Sequence, residues 1–556
     1  MLYNMANYLW LIPVLPLLGS IITAVLGPRF LKTNSHWPCI ITAGCSCLLS
    51  FLVLFAVMQS SEHHHAEESS AETHKAIVLK SYYTWFSTEI PTEAKSVLGD
   101  EHSVDIGFTL QADGLTAIML VTVTFIGSLI AIYSIGYMHG DPGYARYFSE
   151  ISLFLFAMTG LVLAENFILL YAFWEGVGLC SYLLIGFWFA KPSASAAARK
   201  AFLVTRIGDV GFFLGILLLW THAWTLDFQD VFSKEFLDTM GTGKLTAVCI
   251  LLFCGAVGKS AQFPLHVWLP DAMEGPSSVS ALIHAATMVT AGVYLVARCT
   301  PLFALAPAAQ LIVAIIGGFT ALLAALMALT QTDLKRVLAY STISQLGYMF
   351  LALGSATKAH NVLELGITAA IFHLFTHAFF KALLFLGAGS VMHAMHNIID
   401  MRKFSGLRKL LPYTHWTFFC GAAALAGLVP FAGFWSKDEI LAAAYDASNG
   451  PHFSAMYYLL FIIGMITAGL TAFYTFRAYF MTFWGEEKIP VEAGDHAHES
   501  PMVMVVPLMI LAVGAVLTGL VFGPLTHSFA HVLLHSWMEP TFAGLNILEH
   551  HPHSPN

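Results

Sequence analysis

The chain contains a succession of about fourteen apolar runs, and this feature restricts its fold more than any other. A membrane-spanning helix needs about 20 consecutive, mostly apolar residues. Helices and closed barrels satisfy all their backbone hydrogen bonds in lipid, and apolar runs of this length are typical of helices. We therefore predict an all-α polytopic membrane protein with about fourteen transmembrane helices. The runs fall at 9–27, 39–58, 112–136, 150–164, 167–190, 202–221, 246–269, 279–299, 310–330, 336–356, 361–394, 414–435, 455–483 and 502–523.

Composition agrees with this prediction and excludes other classes of protein. Of the 556 residues, 57% are hydrophobic and 11% are Asp, Glu, Lys or Arg, against roughly 25% charged residues in soluble domains. This balance excludes a soluble enzyme with one anchor and a disordered scaffold. The net charge is −9 and the sequence has no basic face, so the expected surroundings are the lipid bilayer and not nucleic acid.

The longest polar interruption, 59–111, is rich in His, Glu and Ser and predicts an extramembrane loop. Within it, the alternating segment from Ile77 to Phe86 predicts a β-hairpin. Loop Lys and Arg residues set the orientation of the spans, because cytoplasmic loops carry an excess of them. With the N-terminus outside, thirteen such residues, Lys335 among them, fall in inside loops and seven, Arg298 among them, in outside loops. The count predicts an N-terminus on the outer side.

The seventh and twelfth spans each contain an internal Pro near a Lys: Gly-Lys-Ser-Ala-Gln-Phe-Pro at 258–264, and Val-Pro-Phe-Ala-Gly-Phe-Trp-Ser-Lys at 429–437. Broken helices at membrane depth are tolerated where the freed backbone groups face protein or a wet cavity. The two spans are five apart, and a unit with an odd number of helices inserts its second copy the other way up, as in transporters with inverted repeats. We therefore predict hydration and transport at Lys259 and Lys437.

This pattern divides the chain into four segments. The N-terminal helices 1–3 and the polar loop occupy 1–149. Two inverted five-helix repeats, with broken helices 7 and 12, occupy 150–300 and 301–484. A C-terminal helix and a polar tail occupy 485–556.

Ionisable side chains inside the apolar runs are the strongest functional signal. Each costs a few kcal/mol or more at membrane depth unless it is paired or hydrated. Arg206 and Asp209 are three residues apart on one helix face, which allows a structural ion pair between them. Packing ion pairs do not explain single lysines at both broken helices. The candidates are Glu175, Arg206, Asp209, Lys259, His284 and Lys381.

The eleventh span carries the best local pattern, with His373, His377 and Lys381 at positions i, i+4 and i+8. Such residues form one stripe along a helix, with neighbours about 5–6 Å apart. Imidazole titrates near neutral pH and both donates and accepts, so the stripe, with water between its members, predicts a proton relay. A zinc site is disfavoured because Leu374 stands where a zincin helix has Glu.

Nucleotide sites are also excluded. Gly258-Lys259-Ser260 resembles the end of a Walker A motif, but Phe253 stands where its first glycine is required. We therefore expect no cofactor and no metal in this chain, and an energy source in a partner or an ion gradient. A movement of Glu175 relative to Lys259 could then load or release a proton, because a nearby carboxylate raises the pKa of a buried lysine.

Long stretches of the sequence resemble the antiporter-like subunits of respiratory complex I, NADH:quinone oxidoreductase, of the subunit L or chain 5 type. The resemblance covers about residues 9 to 523. The matching motifs are Ala-Asp-Gly-Leu at 112–115, Trp-Glu-Gly-Val-Gly-Leu-Cys-Ser-Tyr-Leu-Leu-Ile-Gly-Phe at 174–187, Lys-Ala-Phe-Leu-Val-Thr-Arg-Ile-Gly-Asp at 200–209, Gly-Ala-Val-Gly-Lys-Ser-Ala-Gln at 255–262, Ser-Ala-Leu-Ile-His-Ala-Ala-Thr-Met-Val-Thr-Ala-Gly-Val-Tyr at 280–294, Thr-Asp-Leu-Lys-Arg-Val-Leu-Ala-Tyr-Ser-Thr at 332–342 and Ser-Lys-Asp-Glu-Ile at 436–440.

The resemblance implies a proton-pumping translocase subunit at the end of the membrane arm, beside the antiporter-like subunit M. It implies that NADH, FMN, iron–sulfur clusters and quinone act in partner subunits. Carried over by motif, Glu175 modulates the central Lys259, and Lys437 is the twelfth-helix lysine typical of this subunit, where subunit M has a glutamate. The other implied members are Lys335, His373 and His377 in the connecting hydrophilic axis, and Arg206, Asp209 and His284 near the first channel.

Family members usually continue into a long lateral helix and a last anchoring span, whereas this sequence stops at Asn556. We therefore expect a truncated or split version, or a shorter relative without lateral clamping. Two alternatives share the motifs: a subunit of a multisubunit sodium/proton antiporter, and a proton-conducting subunit of a bicarbonate-uptake or hydrogenase complex. The bacterial inner membrane is the expected location, ahead of the mitochondrial inner membrane.

Overall fold

A computed structural model describes residues 5–64, 78–89, 103–358, 362–494, 497–523 and 532–542. Within these residues, thirteen helices are long and apolar enough to cross a membrane. The twelfth predicted span is two shorter helices of 15 and 16 residues on either side of Pro430. The prediction of an all-α polytopic membrane protein with a broken twelfth helix is therefore confirmed.

The membrane helices follow the order of the predicted spans, and we number them accordingly. They are α1 (Leu11–Leu26), α2 (His36–His64), α3 (Gly114–Tyr137), α4 (Tyr144–Leu163), α5 (Phe167–Ile185), α6 (Pro192–Ala223), α7 (Thr242–Lys259), α8a (Ser277–Ala285), α8b (Met288–Arg298), α9 (Pro307–Thr330), α10 (Leu334–Ser355), α11 (Val362–Ala394), α12a (Pro412–Ala426), α12b (Ala432–Ala447), α13 (Ser454–Phe483) and α14 (Met502–Phe522).

Short helical turns connect several of these helices. They are Gly27–Leu31 and Lys32–Asn34 after α1, Phe228–Val231 and Lys234–Thr239 between α6 and α7, Leu265–Trp268 and Asp271–Glu274 after α7, Thr300–Ala304 after α8b, and Leu534–Met538 and Glu539–Phe542 in the C-terminal tail.

The polar loop before α3 contains the predicted β-hairpin. Strand β1 (Val78–Glu89) pairs antiparallel with β2 (Ser103–Ala112), and Val78 lies opposite Ala112. The strand β2 leads directly into α3, whose N-cap Asp113 accepts a hydrogen bond from the Thr116 backbone N–H at 2.8 Å. An N-cap carboxylate satisfies one of the free amides of the first helical turn. The predicted hairpin is therefore confirmed, with a second strand that ends at the third span.

The membrane helices most enclosed by protein are α8, α10 and α11, and they carry part of the predicted set, including His284, Lys335 and Lys381. The α8 segment is 100% buried over its most apolar window, and α10 and α11 are 94% buried. The corresponding value is 39% for α1, α2 and α6, and 33% for α13. A polar residue of α8, α10 or α11 is therefore surrounded by protein. Groups of the neighbouring helices can form hydrogen bonds or ion pairs with it.

Close contact between α9 and α10 depends on glycines. A Cβ on Gly354 would clash with the Ala314 backbone nitrogen, and one on Gly317 would lie 2.6 Å from the Leu351 nitrogen. Small residues let membrane helices approach at backbone distance, where dispersion contacts stabilise the pair. This pair positions α10, which contributes Lys335 and other polar side chains to the centre.

The break predicted in the seventh span is present: α7 ends at Lys259, ahead of Pro264, and short helical turns follow. One predicted span is wrong in its continuity. The run 279–299 was expected to be one helix, but it is interrupted at Ala286 and Thr287, between α8a and α8b. Apolar composition continues through this interruption, so hydropathy did not reveal it.

Candidate functional site

Lys259 is the last residue of α7, where the helix is broken. The backbone groups freed by the break are satisfied within the protein: the Phe263 N–H donates to Thr320 Oγ1 at 3.1 Å, and the Trp268 Nε1–H donates to the Gly258 carbonyl at 3.1 Å. The C-terminal end of a helix carries partial negative charge and favours a cation. The break thus places the buried Lys259 ammonium, with 1% of its side chain exposed, at a favourable end of α7.

Asp209 of α6 is the direct partner of Lys259. Its Oδ2 lies 3.2 Å from Lys259 Nζ, and its Oδ1 accepts a hydrogen bond from Trp174 Nε1 at 2.6 Å. The Trp174 ring centroid lies 5.9 Å from Lys259 Nζ. Gly178 lies one turn further along α5, where an added Cβ would be 2.6 Å from that Nζ. Helix α5 therefore both orients the carboxylate and leaves room for the ammonium.

Glu175 and Arg206 form a second ion pair beside the first. Glu175 Oε1 contacts Arg206 Nη1, with side-chain exposures of 21% and 38%. The Arg206 guanidinium also lies over the Phe202 ring at 4.8 Å. The expected ion pair between Arg206 and Asp209 is therefore wrong: although both residues lie on α6, each pairs with a different neighbouring helix. Their i, i+3 spacing places Arg206 and Asp209 next to each other on α6. The oppositely charged partner is on α5 for Arg206 and on α7 for Asp209.

The stripe of His373, His377 and Lys381 lies on α11 as predicted, and all three side chains are fully buried. The ring centroids of His373 and His377 are 6.3 Å apart. His373 Nδ1 is 2.9 Å from Ser436 Oγ of α12b, and its Nε2 is 3.2 Å from Gln345 Oε1 of α10. The stripe therefore lies between α10 and α12b, with polar partners on both helices.

Lys437 lies beside Ser436 on α12b and reaches across the second break. Its Nζ donates to the Leu425 carbonyl of α12a at 2.5 Å, and lies 5.8 Å from the Tyr348 ring centroid. Helix α12a ends at Gly427, whose φ of +79° suits glycine. The carbonyls of the last helical turn have no partner within that helix, and the break thus supplies an acceptor for the buried ammonium.

Lys381 and Lys335 also bind backbone carbonyls. Lys381 Nζ donates to the Leu338 carbonyl at 3.2 Å and to the Ser341 hydroxyl. Lys335 Nζ donates to the carbonyls of Met273 and Gly275, each at 2.7 Å. Both carbonyls lie in the segment of short helical turns that follows α7. Lys335 therefore links the start of α10 to the first broken helix through hydrogen bonds.

His284 lies at the end of α8a, next to the interruption of the eighth span. Among the residues that the structure describes, neither ring nitrogen has a hydrogen-bond partner, and the ring packs on Phe385 at 4.8 Å. His377 Nδ1 lies 3.2 Å from the Ala285 carbonyl, one residue further on. His284 is therefore placed to bond an inserted water beside the α11 stripe.

The structure collects the predicted residues into two groups. The first contains Glu175, Arg206, Asp209 and Lys259, and the second contains His284, His373, His377, Lys381 and Lys437. Ser260 Oγ, next to Lys259, donates to the Val289 carbonyl of α8b at 2.6 Å. The groups therefore meet at the interruption of α8, and Lys335 lies toward one edge of the membrane.

Sequence reasoning missed the uncharged members of this axis. Ser341, Gln345 and Tyr348 lie on one face of α10 at positions i, i+4 and i+7. The same helical spacing that identified the α11 stripe could have found them. Ser436 had no such signal, because its role depends on the approach of α12b to α11.

A buried ion pair outside the axis was also missed. Arg298 Nη1 and Nη2 lie 2.5 and 3.1 Å from the Asp113 carboxylate, and the Trp537 ring lies 5.7 Å from the guanidinium. Arg298 was expected in an outside loop and Lys335 in an inside loop, but both are buried. Two of the twenty residues behind the predicted orientation are therefore buried inside the protein and do not report the side of a loop. In the part of the chain that the structure describes, no three His, Cys, Asp or Glu side chains form a group that could hold a metal.

Comparison with known proteins identifies this arrangement of helices. Residues 164–471 match the family model described as NADH:quinone oxidoreductase/Mrp antiporter, TM, and residues 100–148 match that of NADH-Ubiquinone oxidoreductase (complex I), chain 5 N-terminus. The first match covers more than half of the chain. The chain belongs to this antiporter-like family. The predicted resemblance to subunit L or chain 5 of complex I is confirmed.

Individual antiporter-like relatives agree with this assignment. The chain is 43% identical to the NAD(P)H-quinone oxidoreductase chain 5 of a Picosynechococcus species, covering 94% of this chain and 77% of the relative. It is 43% identical to the NADH-quinone oxidoreductase subunit L of Rhodobacter capsulatus, covering 92% and 69%. A solved structure of the Mrp complex from a Dietzia species matches with a TM-score of 0.77 and 27% identity, covering 95% of this chain and 52% of that one.

Proposed function

We propose that this chain is a proton-translocating membrane-arm subunit of an NADH:quinone oxidoreductase. The observation that carries the proposal is the buried polar axis from Glu175 through Lys259, His284 and His377 to Lys437, on helices that are otherwise apolar. Ionisable groups at membrane depth are costly and mark ion pathways. An axis with alternating ammonium, imidazole and hydroxyl groups supports proton transfer better than transfer of a larger solute.

The two ion pairs at α5 to α7 provide a switch for Lys259. Asp209 stabilises the charged ammonium of Lys259. Arg206 forms an ion pair with Glu175, so the negative charge of Glu175 does not act on Lys259. When Arg206 moves away, Glu175 adds a second negative charge near Lys259 and its proton affinity rises. When the Glu175–Arg206 pair forms again, that affinity falls and a proton leaves toward the α11 stripe. Proton transfer across 100 mV costs about 2.3 kcal/mol, comparable to fewer than two pKa units.

The redox reaction that drives this switch lies in partner subunits. We propose that NADH, FMN, iron–sulfur clusters and quinone are bound there, and that this chain contributes no redox group. Its role in the enzyme is that of a translocase subunit. Coupling then depends on a mechanical or electrostatic signal that reaches the Glu175–Arg206 pair.

The same pair supports a neighbouring subunit at this face. Arg206 is 38% exposed at membrane depth, and the α6 residues around it, Leu203 and Ile207, are each 63% exposed. A charge at this depth does not face lipid without a large cost. We propose that an antiporter-like neighbour of the subunit M type covers this face of α5 and α6.

We further propose two inverted five-helix repeats, over 150–300 and 301–484. The broken helices α7 and α12 are five spans apart, which supports the division. We also propose that the N-terminus lies on the outer side of the membrane. The proposed location is the bacterial inner membrane, with the mitochondrial inner membrane as the alternative.

A second candidate is a subunit of a multisubunit sodium/proton antiporter. The similarity to the Mrp complex structure favours it. The two readings differ in the partners that they require. Purification of the tagged chain with flavin and iron–sulfur subunits supports the first, whereas purification without them and sodium-driven proton flux in vesicles would establish the second.

The central test replaces Lys259 in the intact complex. In reconstituted vesicles we expect Lys259→Ala to abolish or strongly reduce proton pumping, because the axis loses its central titratable group. Lys259→Arg should fail as well, since guanidinium keeps its proton at any accessible pH. Glu175→Gln should also lower pumping. The quantity to measure is the number of protons moved per electron transferred.

Lys244→Ala is the matched control. Lys244 is an exposed lysine in the first turn of the same helix α7, so its loss should leave the ratio unchanged. A normal proton-to-electron ratio in Lys259→Ala would refute the proposed role of this axis.

A further inference from the structure

A pocket of about 240 Å³ lies between α4, α5 and α6, away from the polar axis. We call it the α4–α6 pocket; its lining includes Arg146, Glu150, Tyr182, Phe187 and Ser195. Arg146 and Ser195 are in the first turns of their helices, Tyr182 is in the last turn of α5, and Phe187 follows that helix. All these positions are at one edge of the spans, so the pocket opens at the depth of lipid headgroups.

Arg146 is held in an orientation that leaves part of its guanidinium free. Its Nη2 donates to the Phe187 carbonyl at 2.6 Å. The guanidinium carbon lies 4.5 Å from the Phe187 ring centroid and 4.9 Å from that of Phe189. The side chain is 42% exposed. An arginine has five N–H donors, so several remain for a phosphate, the anion whose geometry guanidinium matches best.

Glu150 supplies the opposite charge inside the same pocket. Its Oε1 lies 3.5 Å from Arg146 Nε, and 11% of its side chain is exposed. Its Oε2 is buried and has no hydrogen-bond partner among the residues that the structure describes. A buried carboxylate oxygen without a donor is costly. The pocket is therefore lined by a guanidinium that can bind phosphate and, one helical turn away, by a carboxylate.

We propose that the α4–α6 pocket binds the headgroup of phosphatidylethanolamine, with the phosphate on Arg146 and the ammonium on Glu150. A volume of about 240 Å³ is many times the roughly 10–15 Å³ that one water needs on the same measure, so the pocket has room for phosphoethanolamine, which has about eight non-hydrogen atoms. Choline has no N–H to donate to Glu150. A phosphatidylglycerol headgroup offers weaker hydroxyl donors and leaves a net negative charge beside the carboxylate.

The surroundings suit a membrane lipid. Phe189 is 66% exposed at the pocket rim, and Leu179 is 49% exposed one turn further into the membrane along α5. Aromatic side chains are enriched at the membrane–water interface, and Leu179 provides an apolar surface for an acyl chain. The pocket lies about 15 Å from Glu175 along α5, at 1.5 Å per residue. It is therefore separate from the contact with the neighbouring subunit that we propose near the midplane.

The test is native mass spectrometry of the intact complex, delipidated in detergent and titrated separately with dioleoyl phosphatidylethanolamine, phosphatidylcholine and phosphatidylglycerol. We expect the wild type to retain one phosphatidylethanolamine that Arg146→Gln loses, with affinity about tenfold to a hundredfold weaker. Arg199→Gln is the matched control, because Arg199 is exposed at the same edge outside the pocket. Equal retention by Arg146→Gln and wild type would overturn the proposal.

Glu150→Gln tests the ammonium contact separately and keeps the shape of the side chain. We expect it to bind ethanolamine and choline lipids equally, whereas the wild type prefers ethanolamine. A wild type that does not discriminate among the three lipids contradicts the assignment. Displacement of the lipid by millimolar inorganic phosphate would overturn the proposal by showing a general anion site instead of a lipid site.

Discussion

At the residue scale, the chemistry of Lys259 depends on one carboxylate and on one missing side chain. Asp209 approaches Lys259 Nζ to 3.2 Å, and Gly178 leaves the space that the ammonium fills. The pair is buried on both sides, so its strength depends on its geometry more than on solvent. A small displacement of the ammonium should therefore change proton transfer without unfolding the protein.

Gly178→Ala makes this displacement. An added Cβ would lie 2.6 Å from Lys259 Nζ, so the flexible end of the lysine must move by about 1 Å to reach ordinary contact distance. We expect the pumping rate to fall by roughly tenfold or more, while the free energy of unfolding changes by about 1 kcal/mol or less. Pumping in vesicles and thermal melting measure the two effects.

Gly176→Ala is the control on the same helix, because its Cβ would meet only Ala157 at an ordinary 3.4 Å. If both alanine variants pump at the same rate, the position of the Lys259 ammonium does not limit proton transfer.

At the element scale, the broken helices place carbonyls and charged side chains together. Lys437 binds the last turn of α12a, and Lys335 binds the irregular segment after α7. An unbroken helix would use most of these carbonyls in its own hydrogen bonds. The buried polar axis also depends on α10, which is positioned by close backbone contact with α9.

Gly354→Ala tests that helix contact. The new methyl group would clash with the Ala314 backbone on α9, and backbone cannot move aside as a side-chain end can. We expect a loss of about 1–3 kcal/mol in the free energy of unfolding, seen as a lower melting temperature of the purified complex.

Gly469→Ala serves as the reference for this variant. Gly469 lies within α13 with nothing within 4 Å of an added Cβ, so alanine should be neutral or slightly stabilising there. Similar melting temperatures for the two variants would contradict close packing of α9 on α10.

At the scale of the whole molecule, loops outside the membrane join parts that are distant in sequence. The tail residue Trp537 lies over Arg298, which pairs with Asp113 at the start of α3. Between α4 and α5, the Glu165 backbone N–H donates to the Thr109 carbonyl of β2 at 3.3 Å, and its carbonyl accepts from the Phe228 N–H at 3.2 Å. These contacts bury Glu165 beside other carboxylates and make stability depend on pH.

Burial, together with the charges of Asp227 and Asp230, raises the pKa of Glu165 from 4.5 to about 9. Between these values the folded protein keeps a proton that the unfolded chain releases, so stability falls as pH rises through this window. The loss is on the order of 3 kcal/mol at pH 7. We expect the melting temperature to fall from pH 5 to pH 8, and Glu165→Gln to flatten this slope and to melt higher at pH 8.

Glu235→Gln, at an exposed carboxylate of the polar segment between α6 and α7, should leave the slope as in the wild type. A Glu165→Gln protein with an unchanged slope would show that another group binds the proton.

Local sequence patterns were sufficient to predict the number and order of the spans, the hairpin, the two broken helices and the set of buried charges. Each of these follows from local composition: an apolar run of sufficient length becomes a helix in lipid, and an ionisable residue within it stands out. The stripe on α11 was predictable for the same reason, since helical spacing alone places its members on one face.

The pairing of these groups, in contrast, depends on how the helices pack and could not be read from the sequence. Arg206 and Asp209 are neighbours in sequence, yet they pair with Glu175 of α5 and Lys259 of α7, and Arg298 is a buried partner of Asp113, 185 residues away. The interruption of α8 and the role of Ser436 could not be predicted from the sequence either. Hydropathy reports how each residue interacts with lipid, whereas an ion pair depends on which helices pack together, and that packing is set by contacts between residues distant in the chain.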